Sequence, residues 1–179
     1  MYQLIIVWME VKILEVSANQ LRDALIRKGE LGELPSMHDE WRFNFSKNLQ
    51  KLTNATAYVL VAADTPTIIE GCLIFQMKDK VMPYMAFVEI APHNRGDSKK
   101  YNRVAGCLIA FAFKQSYIKA KKDYKGILFF DVQEETEEET EKLMRHYSKK
   151  YNAKLYDGTR MIIVNEDGDE LVKRYLPEN

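Results

Sequence analysis

Residues 104–113 read VAGCLIAFAF, a run that is apolar on every side when wound as a helix. A helix with no polar face must be covered all round, and a sheet is the natural cover. The flanking sequence supplies one. MPYMAFVEIA (82–91) comes before and GILFFDV (126–132) after, and both read as strands. Upstream, TAYVLVAA (56–63) and TIIEGCLIFQM (67–77) are two more strands, joined by the hairpin connection DTPT. These segments predict a mixed α/β (α+β) domain with the helix at residues 101 to about 119 buried against the sheet.

The remaining segments extend this plan. IIVWMEVKILEV (5–16) partly alternates and reads as a strand. Ser17 and Gln20 have capping-box spacing, and Leu21, Ala24 and Leu25 fall on one face, which predicts a helix that GELGELPS then breaks. Trp41, Phe45, Leu49 and Leu52 predict a second helix over residues 38–52. EETEEETEKLMRHYSKKY (134–151) carries acids first and lysines last, as the helix dipole favours, with Leu143, Met144, Tyr147 and Tyr151 on its apolar face. AKLYDGTRMIIV (153–164) gives two strands about Asp157-Gly158, and DELVKRYL (169–176) a last helix. The predicted order is β-α-α-β-β-β-α-β-α-β-β-α, one domain over residues 1–179.

The formal net charge is +0, which argues against a general nucleic-acid coat. Cys72 and Cys107 lie inside apolar runs and read as thiols of a reducing, cytoplasmic compartment. No metal-ligand spacing is present, and the apolar start is too short and too charged for a membrane span.

Against this neutral background, Arg95, Lys99, Lys100 and Arg103 cluster between a strand end at Pro92 and the buried helix. Unpaired N–H groups at a helix start, next to a glycine loop and cations, form an anion site suited to phosphate. Ala105 and Gly106 are small enough to let a polyanion approach the backbone. A plain βα turn with solvated lysines is the competing reading.

The same stretch resembles motif A of the GNAT superfamily of N-acetyltransferases. Ile90-Ala91-Pro92-His93-Asn94-Arg95-Gly96 is similar to its strand end, and Lys100-Tyr101-Asn102-Arg103-Val104-Ala105 to its pyrophosphate loop, followed by Leu108-Ile109. APHNRG, KKYNRVAG, LIAFA, RHY and GTRMII together look like a poorly characterised bacterial subgroup. Two features depart from the pattern. Asp97, Ser98 and Lys99 are inserted, and Arg103 stands where the first loop glycine is usual.

The resemblance implies a central mixed sheet of about six to seven strands, helices on both faces, and a splay between the fourth and fifth strands. It implies direct transfer of acetyl from acetyl-CoA to a primary amine, a small molecule or a protein amine. The pantetheine arm would bond to backbone at Val88, Ile90 and Ala91, with an N–H of Ile90 or Ala91 polarising the thioester carbonyl. Arg95, Gly96, Lys100, Tyr101, Asn102, Arg103, Val104, Ala105 and Gly106 would hold the pyrophosphate. Tyr147 would protonate the leaving thiolate, with core packing as its competing role. Glu89 is the candidate base, with a surface charge as its competing role. Neither a metal nor a membrane is implied, a nucleic-acid partner is not expected, and a homodimer stays open. The alternative function is a non-catalytic GNAT-fold binding or regulatory module with weak or no CoA binding. His93 reads as solvated, His146 as a boundary residue, and the glutamates as a solvated helix start or an acidic lip.

Overall fold

The structure is a computed structural model describing residues 8–178. Residues 5–7 of the first predicted strand lie outside the described residues. The strands are β1 (Trp8–Glu15), β2 (Gln20–Lys28), β3 (Ala55–Ala62), β4 (Thr65–Lys78), β5 (Met82–Ile90), β6 (Tyr101–Asn102), β7 (Ile127–Asp131), β8 (Lys154–Asp157) and β9 (Arg160–Val164). The helices are α1 (Phe45–Lys51), α2 (Val104–Lys119), α3 (Glu137–Tyr151) and α4 (Asn165–Tyr175). The strands form one sheet in the order β6-β1-β2-β3-β4-β5-β7-β9-β8.

β1 to β5 pair antiparallel, each with the next, whereas β5 and β7 run parallel. Their aligned residues are a single pair, Tyr84 and Phe129. Beyond it the two strands part. They are the fourth and fifth strands as counted from the sequence, so the splay falls where the resemblance put it.

α2 lies over one face of the sheet. Phe111 meets Tyr58 edge-on with centroids 4.7 Å apart, and Leu108, Phe111 and Phe113 share a core cluster with Leu60, Leu73 and Leu128. Tyr151 and Tyr175 bring α3 and α4 into that cluster. The opposite face is covered by α1 and the loop before it, through Trp41, Phe45, Val59 and Ile74.

Among the described residues the sheet has nine strands, two more than the sequence predicts. One addition is β2, where a helix was expected. Gln20 pairs opposite Glu15, and Asn19, at φ 49, turns the chain between them. Ala24 and Ile26 then point into the α2 core and Leu25 toward the α1 cluster, while Leu21 is 58% exposed. A two-sided strand thus satisfies the spacing that suggested one helical face, and the Ser17–Gln20 capping box does not form.

The other addition is β6. Tyr101 and Asn102 pair with Glu15 and Leu14, so α2 starts at Val104 rather than at Tyr101. The helix expected over residues 38–52 shrinks to α1. Glu40 is left-handed at φ 64, and Asn44 caps the helix by accepting from the Lys47 N–H at 2.9 Å. Among the described residues no helix is long and apolar enough to cross a membrane.

Candidate active site

The splay exposes one edge of β5. Ala91 donates its N–H to Glu70 O at 2.9 Å, and Glu89 lies opposite Cys72, so the polar groups of both face β4. Strand alternation turns the backbone groups of Val88 and Ile90 the other way, into the gap before β7. Ala91 therefore has no free N–H to offer a thioester, whereas Ile90 does. The Ile90 carbonyl is already engaged, accepting from Arg95 Nη2 at 3.0 Å and Nε at 3.3 Å.

Glu89 points to the opposite face, toward α1. Its carboxylate accepts from Arg42 N at 2.6 Å, from Phe43 N at 3.1 Å and from the Arg95 guanidinium. Its side chain is 8% exposed. It pins the loop before α1 to the sheet.

The far wall of the gap comes from α3 and β7. Tyr147 stacks against Phe130 at 4.9 Å and Tyr151 at 5.8 Å between centroids. The residue keeps some exposed area but is densely surrounded. Burial first, then the charge of Glu134, push its hydroxyl up to about 12. Two chambers meet here. One, of about 410 Å³, lies among Val88, Glu89, Ile90, Ala105, Tyr147 and Tyr151. The other, of about 370 Å³, lies among Phe43, Met85, Phe87, Phe130 and Leu143. Arg42 and Glu134 line both and join in a bidentate pair of 2.7 and 2.5 Å.

A third chamber of about 340 Å³ opens at the start of α2, lined by Lys99, Asn102, Ala105, Gly106, Lys150 and Tyr151. The cations predicted there divide. Lys100 lies over the Tyr101 ring at 5.1 Å, and Arg95 is committed to the end of β5. Arg103 donates to Arg174 O at 2.7 Å and Lys12 O at 3.4 Å, and lies over the Tyr175 ring at 5.0 Å. It ties α4 to β1, and its φ of 74 is the left-handed conformation that favours glycine. Gly106 likewise serves packing rather than an approaching anion. A Cβ there would stand 2.2 Å from the Tyr175 ring. Gly96, at φ 70, turns the loop in open space.

Lys150, which the sequence does not single out among the lysines of its helix end, faces this chamber with Lys99. Desolvation, and then Lys99, lower its pKa.

The loop also holds a buried group that the sequence reading missed. Glu70 is 0% exposed, and its Oε2 meets both His93 Nε2 and Asn94 Nδ2. Asn94 Oδ1 in turn accepts from Tyr101 N at 2.9 Å. His93 is exposed, as the sequence reading has it, and is anchored through its Nε2. The available signal was a lone glutamate inside the apolar run TIIEGCLIF. His146 is exposed, with its pKa lowered by desolvation and by Lys150. Glu137, Glu138 and Glu139 form the first turn of α3 behind the Thr136 cap. Among the described residues no group of three or more His, Cys, Asp or Glu side chains could hold a metal ion.

No protein-family model and no curated protein matches the sequence. Solved structures do match in shape. A mutant of the spermidine N-acetyltransferase SpeG from Vibrio cholerae has a TM-score of 0.53 at 16% identity, covering 84% of this chain and 97% of that chain. A mutant of the toxin AtaT, bound to the C-terminus of the antitoxin AtaR, has a TM-score of 0.54 at 12% identity, covering 85% and 98%. The same toxin with AtaR and acetyl-CoA has 0.53 at 11% identity, covering 84% and 97%. At such identities the likeness is one of fold. The parted parallel strands, the helix that follows β5 and the shared architecture give this chain the GNAT fold, the fold of SpeG and AtaT.

Proposed function

We propose that the protein transfers an acetyl group from acetyl-CoA to a primary amine by direct attack. The observation that carries this reading is the open edge of β5 at Val88 and Ile90, facing Tyr147 across a chamber of about 410 Å³. The pantetheine arm lies along that edge, and the Ile90 N–H polarises the thioester carbonyl. Such a donor contributes about 3 kcal/mol to lowering the barrier. The amine nitrogen attacks the carbonyl carbon, the C–S bond breaks, Tyr147 gives its hydroxyl proton to sulfur, and a proton from the acylated nitrogen replaces it.

The pyrophosphate falls at the start of α2, on the N–H groups of Val104, Ala105 and Gly106, with Lys99 and Lys150 as its cations. Two lysines facing one chamber repel each other until an anion lies between them. Glu89, with its oxygens engaged by three donors, acts as an anchor rather than as the base. AtaT, of the same fold, has been solved with acetyl-CoA.

Arg95 supports the second reading, a binding module that excludes CoA. Its guanidinium covers the Ile90 carbonyl, where a pantetheine amide would bond. Calorimetry with purified protein and acetyl-CoA separates the two. Binding heat is expected for the transferase. Folded wild-type protein that gives no heat with millimolar acetyl-CoA, while Arg95→Ala binds it, establishes the closed module instead.

A further inference from the structure

The ion pair between Arg42 and Glu134 crosses the open side of the splay, and neither loop depends on it. The Arg42 loop is fixed by the Arg42 and Phe43 N–H groups on Glu89 and by Phe43 against Phe87, at 5.1 Å between centroids. The Glu134 loop is fixed by its own N–H on Thr140 Oγ1 at 2.9 Å. Both side chains can therefore exchange partners while their backbones stay in place. Glu134 is 17% exposed and lies close enough to Tyr147 to act on its hydroxyl electrostatically. Beside the pair is the chamber of about 370 Å³, whose wall is mainly Phe43, Met85, Phe87, Phe130 and Leu143, with Asp131 and Gln133 also lining it.

The pair is bidentate, with Glu134 largely covered and the Arg42 side chain 47% exposed, so it is a template for a ligand carrying both charges. An ammonium alone would take Glu134 and leave the guanidinium to water, whereas a zwitterion gives each half a charge-assisted partner. We propose that the acceptor is an apolar α-amino acid that binds by exchange with this pair. Its ammonium goes to Glu134, its carboxylate to Arg42, and its side chain into the chamber against Phe43, Phe87 and Phe130.

The inference rests on the acetyl-transfer reading above and adds Glu134 as its base. One ammonium proton passes to the Glu134 carboxylate and on to solvent, and the freed nitrogen forms the C–N bond. As the adduct collapses and the C–S bond breaks, Tyr147 protonates sulfur. The second nitrogen proton replaces the one that Tyr147 gave up. The sum is N-acetyl amino acid, CoA thiol and one proton.

The test uses purified protein and acetyl-CoA, following thiol release with a coloured reagent and identifying the product by mass. L-leucine and L-phenylalanine are compared with L-leucinamide, which lacks the carboxylate, and with spermidine. The amino acids should exceed leucinamide by about tenfold or more in kcat/KM. R42Q should raise KM for leucine about tenfold but not that for leucinamide, whose ammonium no longer has to displace the guanidinium from Glu134. E134Q should lower kcat by about 10²–10⁴-fold. Leucine alone, without acetyl-CoA, should raise the melting temperature of wild type but not of R42Q, and the melts also check that each variant folds.

The proposal is overturned if leucinamide or spermidine is preferred, or if R42Q leaves the leucine KM unchanged. It is equally overturned if protein that binds acetyl-CoA acetylates none of these amines. Protein that melts higher with leucine yet gives no heat with acetyl-CoA loses the transferase reading and keeps the leucine site.

Discussion

At the scale of single residues, Arg103 shows how one side chain can oppose its own backbone. Its φ of 74 is unfavourable for any residue with a Cβ, by about 1–2 kcal/mol. Its guanidinium offsets this by bonding Arg174 O and Lys12 O. Arg103→Ala keeps the strained backbone and loses both bonds, and should lower stability by about 1–3 kcal/mol. Arg103→Gly loses the same bonds but relieves the strain, so it should be more stable than Arg103→Ala by about 1 kcal/mol in denaturant melts. The reverse order would remove the left-handed backbone from the explanation.

Tyr147 is a second residue whose surroundings set its chemistry. With its hydroxyl pushed up to about 12, Tyr147 keeps its proton through the whole range in which an ordinary tyrosine starts to lose it. The alkaline limb of kcat due to this group should therefore lie beyond about pH 10. Tyr147→Phe should lower kcat by about 10²–10⁴-fold with the melting temperature nearly unchanged. Equal turnover by the variant would leave Tyr147 as a packing residue.

The packing of Tyr147 against the core was legible in the sequence because it lies on the apolar face of its helix. Glu134 and Lys150 were not, because each is one charge in a run of like charges. Only long-range packing selects which member of the run turns toward the gap.

At the scale of elements, the sequence was clearest where a segment has one buried pattern and poorest where two patterns coincide. β3, β4, β5 and the bulk of α2 appear where their apolar runs placed them. The segment over β2 carries apolar residues at a spacing that suits either one helical face or two strand faces. The partners on both sides, β1 and β3, decide in favour of the strand, and those contacts are not local. The start of α2 was misplaced for a similar reason, since Tyr101 and Asn102 pair with β1, which lies far away in sequence.

α2 also carries a packing prediction. Gly→Ala inside a helix ordinarily stabilises by about 1 kcal/mol. At Gly106 the added methyl would stand 2.2 Å from the Tyr175 ring. Gly106→Ala should therefore destabilise by about 1–3 kcal/mol, read as a lower denaturation midpoint. Stabilisation instead would mean that α4 yields freely. At the same helix start, Lys150→Met should raise the Kd for acetyl-CoA by about tenfold, the weight of one charge-assisted contact. An unchanged Kd in calorimetry would leave Lys99 and the helix N-terminus as the whole phosphate site.

At the scale of the molecule, the gap between β5 and β7 is an interruption in the sheet. β7, β9 and β8 are joined to the other strands through one aligned pair, Tyr84 with Phe129. A polar clasp supports it, in which the Tyr84 hydroxyl meets Asp131 and Arg160 reaches the same carboxylate at 3.1 Å. A sheet normally spreads its cooperativity through its ladders, and here almost no ladder spans the gap. The smaller group of strands should therefore open as its own unit, below the free energy of global unfolding. Amide hydrogen exchange should reveal this as faster deuterium uptake in β7 and β9 than in β3 and β4. Tyr84→Phe, which unfastens the clasp, should widen the difference by about tenfold. A ligand lying in the gap would bridge the two groups of strands, and the slowing of exchange on the far side would report its arrival without any turnover.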